Sequence, residues 1–201
     1  MIDGIDISTV PRKHLRKMIT TIPQEPPQIS GTVRDNLLPL DIMEEDRRPA
    51  SYANAIERIL TVVGLWEYVQ AHGGIDQPVE AMGFSAGQKQ LLSLARGIMH
   101  HLQFRSKIVL LDEATSNMDY ETESLMQLVI SRAFAKCTKI VVAHSKASYA
   151  DCDVILELYQ GSVSNEVDVG RWTTAVDESS MYENAESSLR NRRVNLRDED
   201  E

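Results

Sequence analysis

Two unbroken apolar runs, separated by one helix-length segment, constrain the fold of this chain more than any other feature of its sequence. The runs occupy residues 108–111 and 140–143. The segment between them carries the apolar residues Leu125, Leu128, Val129 and Phe134. Strands that are apolar throughout are typical of parallel sheets buried on both faces. The sequence therefore predicts an α/β fold, with a mainly parallel sheet, flanking helices and a right-handed crossover.

A strand and a proline-rich loop are predicted before the helical part of the chain. The stretch "MITTI" at 18–22 predicts a strand, and the prolines of "PQEPP" exclude a continuous helix or ladder after it. Thr32 is a favourable N-cap residue, so we expect a short helix that runs through Leu38.

Two amphipathic helices are predicted in the middle of the chain, at 51–70 and 86–101, with a loop rich in glycine and proline at 71–83. Their apolar faces comprise Ile56, Ile59, Leu60 and Val63 in the first, and Leu91, Leu92, Ala95, Ile98 and Met99 in the second. A later strand at 153–158 and a return strand at 163–167 are predicted on either side of the turn "YQGS".

The composition of the chain argues against several classes of function. The chain has 201 residues, a formal net charge of −9 and 42% hydrophobic residues, which is typical of a soluble globular domain and not of a nucleic-acid binder. No apolar run approaches the ~20 residues that cross a bilayer. Cys137 and Cys152 lack metal-ligand spacing, which predicts free, partly buried thiols. The polar composition of residues 171–201 predicts a disordered tail.

Two adjacent carboxylates, Asp112 and Glu113, end the first apolar run, although neighbouring negative charges repel each other. His144 follows the second run. Ligands of open parallel sheets bind outside the carboxyl ends of the strands, so we expect all three side chains at one rim. Each alone is equally compatible with a polar residue at the edge of a core. Together they favour nucleotide hydrolysis, in which one carboxylate holds Mg²⁺ and the other orients or deprotonates water.

A turn of small residues opens the helix at 86–101. Ser85 and Gln88 have the S-x-x-Q spacing of a capping box, and Gly83, Ala86 and Gly87 remove large side chains from the turn. A well-capped structural helix is one interpretation. The other is an anion site, because the exposed N–H groups and the positive end of the helix dipole suit a phosphate.

Four motifs in this order resemble the nucleotide-binding domain of ABC transporters. The stretch "FSAGQKQ" is similar to the signature motif, and "IVLLDEATSNMD" is similar to the Walker B strand, the catalytic glutamate and the D-loop. "TIPQEPPQISGTVRDNL" resembles the Q-loop, and "VVAHS" resembles the switch-histidine loop. With "IDGIDIS", these motifs are most similar to the second, C-terminal nucleotide-binding domain of the multidrug-resistance-associated class, subfamily C.

The resemblance covers residues 1–170 and implies an incomplete P-loop NTPase domain of the ABC type, with a helical signature subdomain at about 34–100. Phe84 and Ala86 stand where the signature motif usually has leucine and glycine, and Ser145 stands where arginine usually follows the histidine.

The resemblance also implies a role for each matching residue. Gln24 would sense Mg²⁺ and the γ-phosphate and couple to the membrane domain. Asp112 would support Mg²⁺, and Glu113 would be the general base for water. His144 would contact the γ-phosphate. Asp119 would belong to the D-loop that crosses to a partner domain.

Ser85, Gly87 and Gln88 would close over a nucleotide held by the opposite domain, because two domains of this family sandwich two ATP molecules. The implied cofactors are ATP and Mg²⁺. The implied partners are a second nucleotide-binding domain and the transmembrane domains of a transporter, with no nucleic acid. The implied location is the cytoplasmic face of a membrane, into which this soluble segment does not itself insert.

One motif of the family is missing from the sequence. There is no G-x-x-x-x-G-K-[ST], the segment whose backbone and lysine grip the β- and γ-phosphates. In the family this motif and the adenine-stacking aromatic lie upstream of the matching segment. We therefore expect the C-terminal part of the ATP-hydrolysing domain of an exporter, truncated before the Walker A motif and inactive alone.

Two alternatives remain open. The chain could be a short non-catalytic protein that completes or occupies a partner domain's site. A soluble ABC ATPase of the DNA-repair or translation type is less favoured, because no long heptad coiled coil interrupts the domain.

Overall fold

A computed structural model describes most of the chain. The described residues are 1–38, 49–115, 118–143 and 152–168, with the backbone alone at 49–51 and 165–168. They fall into two compact units, one within Met1–His144 and the other within Ser145–Glu201. The predictions for His144 and for the tail at 171–201 lie outside the described residues.

A three-stranded parallel sheet organises the first unit, in the order β1–β2–β3. Its strands are β1 at Ile19–Ile22, β2 at Ile108–Asp112 and β3 at Thr138–Val142. The central strand pairs with both neighbours, so that Ile22 lies opposite Leu111 and Asp112 lies opposite Val142. The predicted parallel α/β arrangement is confirmed.

In the described part of the first unit, this sheet is accompanied by short 3₁₀ helices at Ile7–Thr9 and Val79–Met82 and by six α-helices. They are α1 at Arg12–Met18, α2 at Val33–Leu37, α3 at Pro49–Val62, α4 at Trp66–Ala71, α5 at Ala86–Phe104 and α6 at Tyr120–Ala133. The helix predicted at 51–70 is instead two helices, because Gly64 adopts a left-handed φ of 75° between them. Helix α1 was not predicted, since none of its residues is buried and it carries no apolar stripe.

The predicted apolar faces form the core. Ile56, Ile59, Leu60 and Val63 are at most 6% exposed. The second face is equally buried and consists of Leu91, Leu92, Ala95, Ile98 and Met99. The stabilisation of α3 and α5 therefore comes from packing of one apolar face, as expected for amphipathic helices.

One face of the sheet packs against helices, and the other is more open. Ile22, Val109 and Leu111 are buried on the packed face, whereas Ile140 and Val142 are 53% and 51% exposed. The expectation that both faces are buried is not met within the described residues. The strand runs are apolar on both faces, but the side chains of β3 gain contacts mainly through Val141.

The second unit contains an antiparallel hairpin of β4 at Val154–Tyr159 and β5 at Ser162–Asp168. Gln160 and Gly161 form its turn with φ values of 49° and 78°. Both predicted strands are confirmed. No helix in the described ranges is long and apolar enough to cross a bilayer.

The two cysteines are free thiols of intermediate exposure, as predicted. Cys137 precedes β3, and its Sγ lies 3.4 Å from the carbonyl oxygen of Ser106. Burial raises the pKa of the Cys137 thiol, and the positive charge of Lys139 opposes this shift. The thiol form is therefore favoured at neutral pH.

Helix α5 approaches β1 closely at Gly97. A Cβ atom there would lie 3.2 Å from Ile22 Cγ1 and 3.3 Å from Thr20 Cγ2. We expect Gly97→Val to lower the free energy of unfolding by about 1–3 kcal/mol, because the added methyl groups overpack this contact. Urea unfolding followed by circular dichroism measures the change.

Gly87→Ala, in the same helix, is the matched control. Its Cβ would lie at an ordinary 3.9 Å from Thr122 Cγ2. We expect the control to leave stability unchanged or to raise it by up to about 1 kcal/mol. Equal stability of wild type and Gly97→Val would contradict the close approach.

Candidate functional site

The carboxyl ends of β1 and β2 bring two predicted site residues together. Gln24 follows the end of β1, and Glu113 follows the end of β2. The Nε2 atom of Gln24 donates a hydrogen bond of 2.6 Å to Glu113 Oε2. A bond of this length to a carboxylate is short and charge-assisted. Residues that lie 89 positions apart in sequence therefore form one polar pair at the rim.

The backbone of Glu113 is held in an uncommon conformation. Its φ is 44°, in the left-handed region that residues with a Cβ atom adopt at an energetic cost. Its N–H donates to the carbonyl oxygen of Val142 at 2.9 Å, which secures the turn against the end of β3. Strained backbone persists where the surroundings impose it, and such positions cluster at functional sites.

Asp112 and Gln24 are the residues that could hold Mg²⁺. Asp112 is an exposed carboxylate at the tip of β2. Gln24 donates through its nitrogen, so its amide oxygen is directed elsewhere and is a hard ligand of the kind that Mg²⁺ prefers. The described residues hold no group of three or more His, Cys, Asp or Glu side chains suited to a metal ion. Two protein oxygens fit an ion that takes its other ligands from water and substrate phosphates.

Helix α5 holds the start of the proline-rich loop. Gln90 Nε2 donates to the carbonyl oxygens of Pro23 at 3.0 Å and Gln24 at 3.2 Å. Gln90 is 4% exposed, on the buried side of α5. Gln90 was not predicted as a site residue, although a glutamine beside Leu91 on the buried side of an amphipathic helix is a detectable signal.

The same helix also holds the end of the loop. The guanidinium of Arg96 donates to Asn36 O at 2.7 Å, Asn36 Oδ1 at 2.9 Å and Pro27 O at 2.9 Å. Asn36 is fully buried, and its Nδ2 donates to Ile29 O at 2.6 Å and Thr32 O at 3.0 Å. Burial lowers the pKa of Arg96 from its ordinary value, and the carbonyl dipoles around it offset the loss of water. Arg96 was not predicted, because its partners are 60 or more positions away in sequence, and Asn36 was not predicted although Ile29 and Thr32 lie only seven and four positions away.

An ion pair at the surface links α2, which follows the loop, to the segment before the turn at residues 83–87 that opens α5. Arg34 contacts Asp76 through Nε at 2.7 Å and through Nη2 at 2.9 Å. The hydrogen bond from Arg34 lowers the pKa of the Asp76 carboxyl, and burial opposes this shift. The backbone adds hydrogen bonds from Val33 N–H to Gln77 O and from Arg34 N–H to Ile75 O.

The predicted capping box is present at the start of α5. Ser85 N–H donates to Gln88 Oε1 at 2.9 Å, and Gln88 N–H donates to Ser85 Oγ at 3.2 Å. Gly83 adopts a left-handed φ of 61° immediately before this turn. Each of these two side chains therefore accepts a hydrogen bond from the backbone N–H of the other residue, and the structure does not bring them to the hydrogen-bonded pair of Gln24 and Glu113.

Asp119 caps the neighbouring helix α6. It accepts hydrogen bonds from Thr122 N–H at 2.9 Å and from Thr122 Oγ1 at 2.7 Å. Thr122 is also the residue that faces Gly87, so the start of α6 lies beside the start of α5. The structure gives Asp119 a capping role, and its predicted role in nucleotide binding stays a prediction.

Comparison with known proteins assigns the family. The sequence model of the ABC transporter family matches residues 1–116. This chain belongs to the ABC transporter family. The ABC transporter gloK of Glarea lozoyensis is 41% identical over 162 residues, which cover 81% of this chain and 11% of that protein. The ATP-binding cassette sub-family C member 2 of Rattus norvegicus is 36% identical over 166 residues, which cover 81% of this chain and 10% of that protein.

A solved structure of a bacterial Atm1-family ABC exporter with ATP bound has the same fold. It superposes with a TM-score of 0.68 at 25% identity, over 83% of this chain and 28% of that one. The chain spans about a tenth of the curated relatives that it matches. Domains of the ABC transporter family bind ATP, generally with Mg²⁺. The prediction that this chain belongs to a nucleotide-binding family is therefore confirmed. The role of each site residue remains a prediction.

The contacts of Arg96 predict an effect on the stability of the ABC domain. We expect Arg96→Lys to lower the free energy of unfolding by about 1–3 kcal/mol, because an ammonium group cannot reproduce the guanidinium fork and leaves buried carbonyl groups unpaired. Urea unfolding measures the loss. Arg58→Lys, at an exposed position of α3, is the control and should change stability by less than about 0.5 kcal/mol. Equal effects of the two changes would show that the Arg96 contacts contribute nothing particular.

Proposed function

We propose that the chain acts as part of the ATP-hydrolysing domain of an ABC exporter, in which ATP binding and hydrolysis drive transport across a membrane. The observation that carries this proposal is the hydrogen bond between Gln24 and Glu113, next to Asp112 at the carboxyl edge of the sheet. This edge is where open parallel sheets bind ligands. The family match and the exporter likeness support the same assignment.

Glu113 is the proposed general base. Its carboxylate would accept a proton from the water that attacks the γ-phosphate. Gln24 fixes the carboxylate by donating to one oxygen, which orients the group before substrate arrives. Asp112 and the amide oxygen of Gln24 would hold the Mg²⁺ ion of MgATP, which neutralises charge on the phosphates. His144 is proposed to contact the γ-phosphate, at a position outside the described residues.

Ser85, Gly87, Gln88 and Asp119 are proposed to serve the site of a partner domain. The start of α5 presents backbone N–H groups and the positive end of the helix dipole, which suit the phosphates of a nucleotide held opposite. The capping box keeps this turn in a defined shape without the partner. In this proposal residues 1–170 form an incomplete nucleotide-binding domain, with the signature subdomain at about 34–100.

The proposed context is the second nucleotide-binding domain of a subfamily C transporter, at the cytoplasmic face of a membrane. Several relatives carry subfamily C or multidrug-transporter names, which supports this placement. Polypeptide outside these 201 residues would supply the G-x-x-x-x-G-K-[ST] segment, the transmembrane domains and the partner domain.

A second candidate function rests on the missing phosphate-gripping motif. Without it, the chain could complete or occupy the site of a partner domain and hydrolyse nothing itself. The two functions differ in what Glu113 does, because only the first uses its carboxylate.

The purified chain should bind MgATP weakly, with a dissociation constant above roughly 1 mM, because the strongest phosphate contacts of the family are absent. Isothermal titration calorimetry with MgATP measures the affinity, and ATP without Mg²⁺ is the control. Micromolar affinity would show that the chain grips phosphates by other residues.

In a full-length transporter that contains this chain, Glu113→Gln should retain ATP binding and lower the rate of hydrolysis roughly 10²- to 10⁴-fold, because a neutral amide cannot accept the proton from water. The release of inorganic phosphate measures turnover. Glu67→Gln, at an exposed position on α4, is the matched control and should hydrolyse ATP at the wild-type rate. Turnover near wild type in Glu113→Gln would exclude the base and favour the non-catalytic function.

A further inference from the structure

We propose that Gln90 is a positioning residue that sets Gln24 against Glu113, an inference that rests on the proposed hydrolytic function. The side-chain amide of Gln90 has two N–H donors, and they reach the carbonyl oxygens of Pro23 and Gln24. These two peptide groups are the first beyond the end of β1. Gln90 therefore fixes the backbone at the point from which the Gln24 side chain departs.

The surroundings of Gln24 explain why this anchor is needed. Gln24 is exposed, and the prolines that follow it exclude a regular hydrogen-bond ladder. An exposed glutamine samples many rotamers, and ordering it opposes side-chain entropy. Here the residue is held at both ends, by Gln90 at its backbone and by Glu113 at its amide. Two fixed ends select the side-chain conformation that meets the carboxylate.

The orientation of the Gln90 amide indicates that this side chain serves to hold the loop. Its Oε1 atom is buried and has no hydrogen-bond partner within the described residues. The reverse orientation would place this oxygen against two carbonyl oxygens, which repel it. If a buried amide only stabilised the fold, we would expect both its nitrogen and its oxygen to be hydrogen-bonded. Gln90 instead leaves its acceptor unpaired while its nitrogen holds two peptide groups.

The location of Gln90 also links two proposed sites. It lies in the second turn of α5, the helix that begins at the capping box of Ser85 and Gln88. An α-helix moves nearly as a rigid rod over such a short distance. A shift of the turn at residues 83–87, as when a partner's nucleotide binds it, would therefore move Gln90 and with it the backbone of Gln24. On the proposed function, Gln90 would thus link the turn that serves one nucleotide to the pair that hydrolyses another.

The first experiment observes the pair directly in the full 201-residue chain. The side-chain amide resonance of Gln24 in a ¹H–¹⁵N correlation spectrum is assigned from its loss in Gln24→Glu. In wild type, the bond to a carboxylate should shift one amide proton downfield. Gln90→Met keeps a similar side-chain length but has no donor, and it should move the resonance to the position of solvent-exposed glutamines.

Two further variants separate positioning from folding. Gln103→Met makes the same change at an exposed position of α5 and should leave the Gln24 resonance in place. Gln90→Leu is apolar and also lacks the donors, so it gives the same test if Gln90→Met fails to fold. The midpoint of thermal unfolding of Gln90→Met should stay close to wild type, because the change removes an unpaired acceptor together with two hydrogen bonds.

The second experiment uses the full-length transporter. Gln90→Met should lower kcat roughly 10- to 100-fold and raise the KM for ATP by a smaller factor, because it releases Gln24, which orients the base and is also a proposed ligand of Mg²⁺. An unmoved Gln24 resonance in both Gln90 variants, or an equal movement in Gln103→Met, would overturn the positioning role. Wild-type turnover of Glu113→Gln would overturn the hydrolytic function instead, and the resonance would still report whether Gln90 positions Gln24.

Discussion

Parallel hydrogen bonding between β1 and β2 decides where the candidate site residues of the first unit lie. With Ile22 opposite Leu111, both strands end at the same edge, and Gln24 and Glu113 emerge beside each other. A slip of one residue in this register would turn the apolar side chains of β1 to the opposite face of the sheet. The packing of Ile22 under α5 therefore secures both the core and the polar pair at the rim.

The loop between β1 and α2 depends on polar groups supplied by the core. Its prolines remove donors, and its carbonyl groups have no strand to pair with, so they need other partners where they are buried. Helix α5 provides these partners through Gln90 at the start of the loop and Arg96 towards its end. The same helix presents apolar residues to the sheet and polar residues to the loop. The side-chain hydrogen bonds from α5 therefore hold the irregular loop in place.

Local signals in the sequence predicted much of the fold, and tertiary contacts account for what they missed. The strands β1 to β3, the capping box at Ser85 and the N-cap at Thr32 each depend on neighbours within a few residues. The contacts of Gln90 and Arg96 join residues 60 or more positions apart, so no local pattern contains their partners. Because ligands of open parallel sheets bind at the carboxyl ends of the strands, Glu113 was predicted to lie at that rim. Its hydrogen bond to Gln24 was not predicted.

The adjacency of Asp112 and Glu113 is tolerable because the two carboxylates have different environments. Asp112 remains at the strand tip and is exposed, so water stabilises its charge. The left-handed backbone of Glu113 turns the chain out of the strand, and its carboxylate accepts a hydrogen bond from a neutral amide. This contact is a hydrogen bond from a neutral group and not an ion pair. The strained turn and the glutamine thus give two neighbouring acids different surroundings, as their proposed roles toward a cation and a water require.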